Sequence, residues 1–175
     1  MAGGSTTVVL PDAGPLITLA YAEALDLLFK PEWPVQIVDM VLKELTRNIT
    51  PTSERIAAWA AHHKLTVLAT KVGQYYDKAL AEALPIKQSG LGELAIQEVM
   101  SGFALQSPPK TGVFLFEDHK IARASFLLPD CCRKVSTRAF LQFLEQKNWI
   151  PSAVEVERRA ITAGRQFSQI RFPPS

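Results

Sequence analysis

Thr7-Val8-Val9-Leu10-Pro11-Asp12-Ala13-Gly14-Pro15-Leu16-Ile17 is the stretch on which the fold turns. Val8 to Leu10 form an apolar run with no polar alternation, the pattern of a strand buried on both faces. Pro11 and Asp12 end it, and Pro15 suits the first turn of a helix, expected over 15–29. A buried strand that passes directly into a helix is the opening unit of a parallel α/β sheet.

The same alternation continues along the chain. Strands are expected at 35–38, 65–68, 113–116 and 133–135, the first of them running into a short helix over 40–48. Further helices are expected over 53–63, 73–84, 90–101, 118–127, 137–147 and 152–164. Thr52 or Ser53 is the expected cap of the third helix. The pattern predicts an α/β, three-layer fold with a central, mostly parallel sheet flanked by helices. Residues 1–150 read as the main domain and 151–175 as a helical extension with a polar tail, in which Val154, Val156, Ile161 and Phe167 pack on the domain or on a partner.

Composition narrows the function classes. The 175 residues are 47% hydrophobic and 21% charged, ordinary for a globular protein, and one domain of that size can bury a sizeable core. No apolar run approaches the roughly 20 residues of a membrane helix, and the first seven residues lack the charged and apolar regions of a secretory signal. A cytoplasmic location is therefore expected. Cys131 and Cys132 are adjacent, and the three histidines are His62, His63 and His119, so neither a disulfide framework nor a Cys/His zinc site is expected. Residues 120–175 hold ten Lys or Arg against four Asp or Glu, and residues 1–119 hold nine against thirteen. The basic portion suits an anionic polymer, and its charges equally suit solvated helix faces.

In parallel α/β sheets, ligands collect beyond the carboxyl ends of the strands. Asp12 follows the first strand and Asp118 the fourth, with Glu117 beside it. Either aspartate alone reads as a helix cap or turn former; two at equivalent strand ends point to a shared site. Glu44 falls at the margin of an apolar stripe made by Val41, Leu42, Leu45 and Ile49. Glu93 lies in a first helical turn, behind Gly90 and Gly92, where the macrodipole alone would favour an acid. Glu98 is a weaker candidate on that helix. Carboxylates gathered without His or Cys repel one another unless a hard cation joins them, which points to Mg²⁺ or Mn²⁺.

Four segments, Val8-Val-Leu-Pro-Asp12-Ala-Gly-Pro-Leu-Ile17, Val38-Asp-Met-Val-Leu-Lys-Glu44-Leu, Gly90-Leu-Gly-Glu93-Leu-Ala-Ile96 and Leu115-Phe-Glu-Asp118-His-Lys-Ile-Ala-Arg123, resemble the PIN-domain nuclease family in order and spacing. The resemblance spans roughly residues 7–147. It implies a PIN-like fold and a metal-dependent endoribonuclease, as in the toxins of bacterial toxin–antitoxin pairs. Asp12, Glu44, Glu93 and Asp118 then become catalytic metal ligands for Mg²⁺ or Mn²⁺, with a bound water as nucleophile. Glu117 replaces Asp118 if the register shifts by one. The implied partners are an RNA substrate, an antitoxin protein and a second copy of the chain, with no membrane.

Where Gly14 stands the family often has a small hydroxylated residue, and Val135-Ser136-Thr137-Arg138 replaces a glycine-containing turn. Ser136 or Thr137 would cap the next helix and present backbone N–H groups to a phosphate. Lys120, Arg123 and Arg138, with Arg133 and Lys134 nearby, are the expected contacts to an RNA backbone, or else solvated helix charges. The rival reading is a catalytically silent PIN-like module that binds RNA or protein, favoured by the missing hydroxyl at Gly14. An aspartyl phosphatase of the dehalogenase type would want an acid where Gly14 stands, and no glycine-rich phosphate loop follows the first strand.

Overall fold

A computed structural model describes residues 6–86, 90–117 and 128–166. Five strands, β1 (Thr7–Pro11), β2 (Gln36–Val38), β3 (Thr66–Leu68), β4 (Thr111–Phe116) and β5 (Cys132–Ser136), all pair in parallel. One ladder has the order β1-β4-β5, and a second joins β2 to β3. A parallel bridge between Val9 and Val35, with Val9 N–H donating to the Pro34 carbonyl at 2.8 Å, links the two ladders. The strands therefore run across the molecule as β3-β2-β1-β4-β5, with their carboxyl ends along one edge. Val8, Val9 and Leu10 are all buried, as a central strand covered on both faces requires.

Seven α-helices among the described residues cover the sheet in a three-layer arrangement. They are α1 (Ala13–Tyr21), α2 (Asp39–Thr46), α3 (Pro51–His62), α4 (Lys71–Ala81), α5 (Leu91–Ala104), α6 (Thr137–Gln146) and α7 (Ala153–Thr162). Helix α1 packs on α3 and α7, and α7 on α6; α2, α4 and α5 form the other group. None of the described helices is long and apolar enough to cross a membrane.

Several expected boundaries move. The helix expected over 15–29 stops at Tyr21, because Glu23 takes a left-handed conformation (φ 53°) and a 3-10 turn over Leu25–Phe29 follows. Helix α3 begins two residues early: Pro51 occupies its first position, and Thr50 and Ser53 form a reciprocal capping box. Ile49 is not in the apolar stripe of α2. That helix ends at Thr46, leaving Ile49 83% exposed, while Met40, Val41 and Leu45 carry the buried face. The helix expected over 118–127 lies outside the described residues.

The expected extension is continuous with the main core. Ile150, Ala153, Val156 and Ala160 belong to the same buried cluster as Leu16, Leu19, Phe140 and Leu144. Val154 and Ile161 remain exposed, and Phe167 lies outside the described residues.

Candidate functional site

Asp12 stands one residue beyond β1, and its N–H donates to the Leu115 carbonyl at 2.9 Å, carrying the β1–β4 ladder one step past the strand. It occupies the N-cap position of α1 with extended backbone, yet its carboxylate makes no capping bond to that helix. The ordinary structural reason for an acid here is thus not the one in use. Two residues on, Gly14 presses against the end of β4. A Cβ at position 14 would come within 3.3 Å of both Cβ and Oε2 of Glu117. A larger residue at position 14 would therefore require Glu117 to shift by a few tenths of an ångström.

Glu44 on α2 and Glu93 on α5 are brought together. The Glu44 pKa is raised above 4.5, first by desolvation and then by the Glu93 charge, with Arg47 opposing. Because Glu44 as a residue remains exposed, solvent screens this repulsion. A Cβ at Gly92 would stand in ordinary van der Waals contact with Glu44 Oε2, at 3.5 Å, so the start of α5 and the Glu44 side chain lie side by side. Gly90 starts α5 at φ 81°, a conformation that favours glycine. Neither Glu44 nor Glu93 has a salt-bridge partner among the described residues.

What holds two like charges together is the amino end of α4. Asp39, the first residue of α2, accepts from Thr70 N–H and Thr70 Oγ1, both at 2.8 Å. Glu98 on α5 accepts from the N–H groups of Lys71 at 2.8 Å and Val72 at 3.3 Å. The helices that carry Glu44 and Glu93 are each tied by a second acid to the positive end of one helix. Lys43 on α2 also pairs with Asp77 on α4. Glu98, a weaker candidate by sequence, has this structural role. Asp39 follows a strand just as Asp12 does, and its partner Thr70, 31 residues away, is set by the topology.

A cleft of about 470 Å³ has Glu44 and Ala13, the neighbour of Asp12, among its walls, with Ile17, Tyr21 and Asn48. A second, of about 580 Å³, shares Tyr21, Pro51 and Thr52 with the first and reaches Arg55, Arg158 and Arg159. Arg158 pairs with Glu155 at 2.9 Å, and Arg55 donates to the Ala20 carbonyl at 2.8 Å.

No protein-family model, curated protein or solved structure matches the chain. The PIN resemblance therefore rests on the four motifs alone.

Asp118, Lys120 and Arg123 lie outside the described residues. Among the described residues, no three His, Cys, Asp or Glu side chains form a group that could hold a metal ion. The acids brought together are Glu44 and Glu93. Their donor set, carboxylate oxygens only and in mutual repulsion, fits a hard divalent cation. The thiol of Cys132 is pushed up to about 11, chiefly by burial and by its hydrogen bond with the Cys131 thiol, so it is protonated at neutral pH.

Beyond β5, Ser136 accepts from Ala139 N–H at 3.0 Å and caps α6. The Thr137 hydroxyl is buried and has no hydrogen-bond partner among the described residues. Arg138 grips Glu157 on α7 with Nε at 2.9 Å and a terminal nitrogen at 3.3 Å. Arg133 donates to the carbonyls of Asp130 and Cys132. Both guanidinium groups have work within the fold.

Proposed function

We propose that the chain is a divalent-metal-dependent ribonuclease that hydrolyses RNA phosphodiesters at the carboxyl edge of its sheet. Asp12, Glu44, Glu93 and Asp118 would hold Mg²⁺ or Mn²⁺. The observation that carries this reading is the facing pair Glu44 and Glu93, like charges from two helices kept close by Asp39 and Glu98. Burial and the nearby Glu93 charge both disfavour the Glu44 anion, a cost that a bound cation would offset.

A bound ion of this kind supplies an acidified water and neutralises charge on the phosphoryl oxygens. The residues of the chain do the rest. Asp12, anchored through its own amide to β4, is a carboxylate on rigid backbone. Of the two clefts that share Tyr21, one reaches Glu44 and the other Arg158 and Arg159. A single strand following both would meet a ring and two guanidinium groups, one of them paired with Glu155. In a cell the activity would belong to a cytoplasmic toxin restrained by an antitoxin protein, and a second copy of the chain would be a further partner.

A catalytically silent module that binds RNA or protein is the second reading, favoured by the lack of any hydroxyl at Gly14. The test is cleavage of a labelled single-stranded RNA with Mn²⁺ or Mg²⁺, with EDTA, and by Asp12→Asn and Asp118→Asn proteins. Cleavage that needs the metal and disappears in both variants supports the ribonuclease. Mn²⁺ binding that depends on both aspartates, without cleavage, favours the silent module. Absence of Mn²⁺ binding refutes the four-carboxylate site.

A further inference from the structure

The two cysteines of the chain adjoin at the start of β5, and neither is in a disulfide. Consecutive side chains on a strand point to opposite faces, which would separate neighbouring thiols. Here a turn precedes the strand. The Cys132 N–H donates to the Pro129 carbonyl at 2.9 Å, so Cys131 belongs to the turn and Cys132 to β5. The two sulfurs come to 3.8 Å, in hydrogen-bond contact. Arg133 braces the turn, its guanidinium donating to the carbonyls of Asp130 at 2.7 Å and Cys132 at 3.0 Å. Gly112 on β4, the register partner of Cys132, donates its N–H to the Cys131 carbonyl at 3.2 Å. A Cβ at position 112 would crowd the Cys132 sulfur at 3.0 Å, so glycine there leaves the thiol its space.

The pair is graded in access. Cys131 is partly exposed, whereas Cys132 is 3% exposed, with its sulfur 4.0 Å from the Met100 carbonyl. A ligand taken from solvent by the first thiol finds the second within the reach of one bridging atom. The donor set then selects the ligand. Two sulfurs are too few for zinc, which takes four ligands, and among the described residues no three His, Cys, Asp or Glu side chains form a group that could hold a metal ion. A soft centre that needs only two sulfurs fits: trivalent arsenic already carrying one organic group.

We propose that Cys131 and Cys132 form a dithiol site for monosubstituted trivalent arsenicals. The inference is independent of the ribonuclease reading. In the reaction both As–O bonds of the hydrated arsenical, R–As(OH)₂, break and two As–S bonds form. Each thiol proton leaves on a hydroxide as water, arsenic stays trivalent, and no oxidant or reductant takes part. Cys131 reacts first, and Cys132 closes the ring in an intramolecular step.

Phenylarsine oxide is the probe, added to the folded full chain and followed by native mass spectrometry, with parental, Cys131→Ser and Cys132→Ala proteins. One arsenical per parental chain is expected, kept in excess glutathione and released by 2,3-dimercaptopropanol. Each single variant should bind at least about a hundredfold more weakly, because the second bond has lost its intramolecular partner. Should Cys132→Ala not fold, Cys131→Ser carries the test, since it changes the partly exposed position. An adduct of parental affinity in either variant comes from one thiol and overturns the proposal. So does an adduct that forms only in urea, which would show that burial of Cys132 closes the site in the folded chain. Absence of any adduct in both conditions refutes it as well.

Discussion

Replacing Gly73 by alanine tests the scaffold that keeps Glu44 and Glu93 together. Gly73 is in the first turn of α4, where its N–H donates to the Thr70 hydroxyl at 2.9 Å. A Cβ there would overlap Asp39 Oδ2 and stand 2.6 Å from its Cγ and 2.9 Å from Oδ1. Asp39 cannot yield cheaply, since Met40 N–H, Thr70 N–H and Thr70 Oγ1 all donate to it. The variant must break the two bonds from Thr70, which is 2% exposed and would be left unsatisfied. At about 1.5 kcal/mol for each bond to a charged acceptor, less about 1 kcal/mol gained from alanine in a helix, the net loss is about 2 kcal/mol. For a chain of this length that lowers Tm by roughly 4–8 °C, measurable by circular dichroism or calorimetry. Asp39→Ala in the same chain removes the overlap, so the double variant should be no less stable than Asp39→Ala alone. A Gly73→Ala protein with parental or higher Tm would refute the account of how α2 is fixed to α4.

Glu44→Gln should flatten the pH dependence of stability in metal-free protein. A raised folded pKa means the native state holds its proton more tightly than the unfolded chain. Parental stability therefore falls as pH rises from 4.5 through the folded value and stays low above it, while the Gln protein shows no such fall in urea titrations across that window. Thr137→Val keeps the shape and removes a buried hydroxyl with no partner among the described residues, so stability should stay level or rise by up to about 1 kcal/mol; a clear drop in Tm would reveal a partner. Arg138→Met strips the partner from Glu157, whose side chain is 13% exposed, and should cost about 2 kcal/mol. The salt slope of RNA binding should stay parental in that protein; a slope shallower by about one unit would restore Arg138 to the phosphate contacts.

The sheet was legible because buried parallel strands write themselves as short apolar runs between helical patterns, and Val8-Val9-Leu10 and Val113 to Phe116 are such runs. Helix ends were less so. Glu23 halts α1 in a left-handed conformation that the sequence does not flag, since neither Gly nor Asn stands there. The Thr50-Pro51 start of α3 was readable by the rule that places proline at a first helical position. The site divided along the same line. Asp12 and Glu93 follow from local position, at a strand end and a helix start. Asp39 with Thr70, Glu98 with the amino end of α4, and Glu117 with Arg165 join positions 26 to 48 residues apart. No periodicity encodes such pairs; topology creates them.

Those long-range pairs also sort the acids by use. Asp39 and Glu98 accept from the amino end of α4, and Glu117 accepts from Thr18 and Arg165. Each satisfies hydrogen bonds of the fold. Glu44 and Glu93 have no salt bridge among the described residues, and the Glu44 anion is disfavoured by burial and then by the Glu93 charge. The two groups sit within a few residues on the same helices, Asp39 with Glu44 on α2 and Glu98 with Glu93 on α5. The amino end of α5 favours an acid at Glu93, but burial and the Glu93 charge both disfavour the Glu44 anion. Glu44 is thus the acid of this face whose charge has a physical cost in the fold, and it is the one on which a metal-binding test should turn.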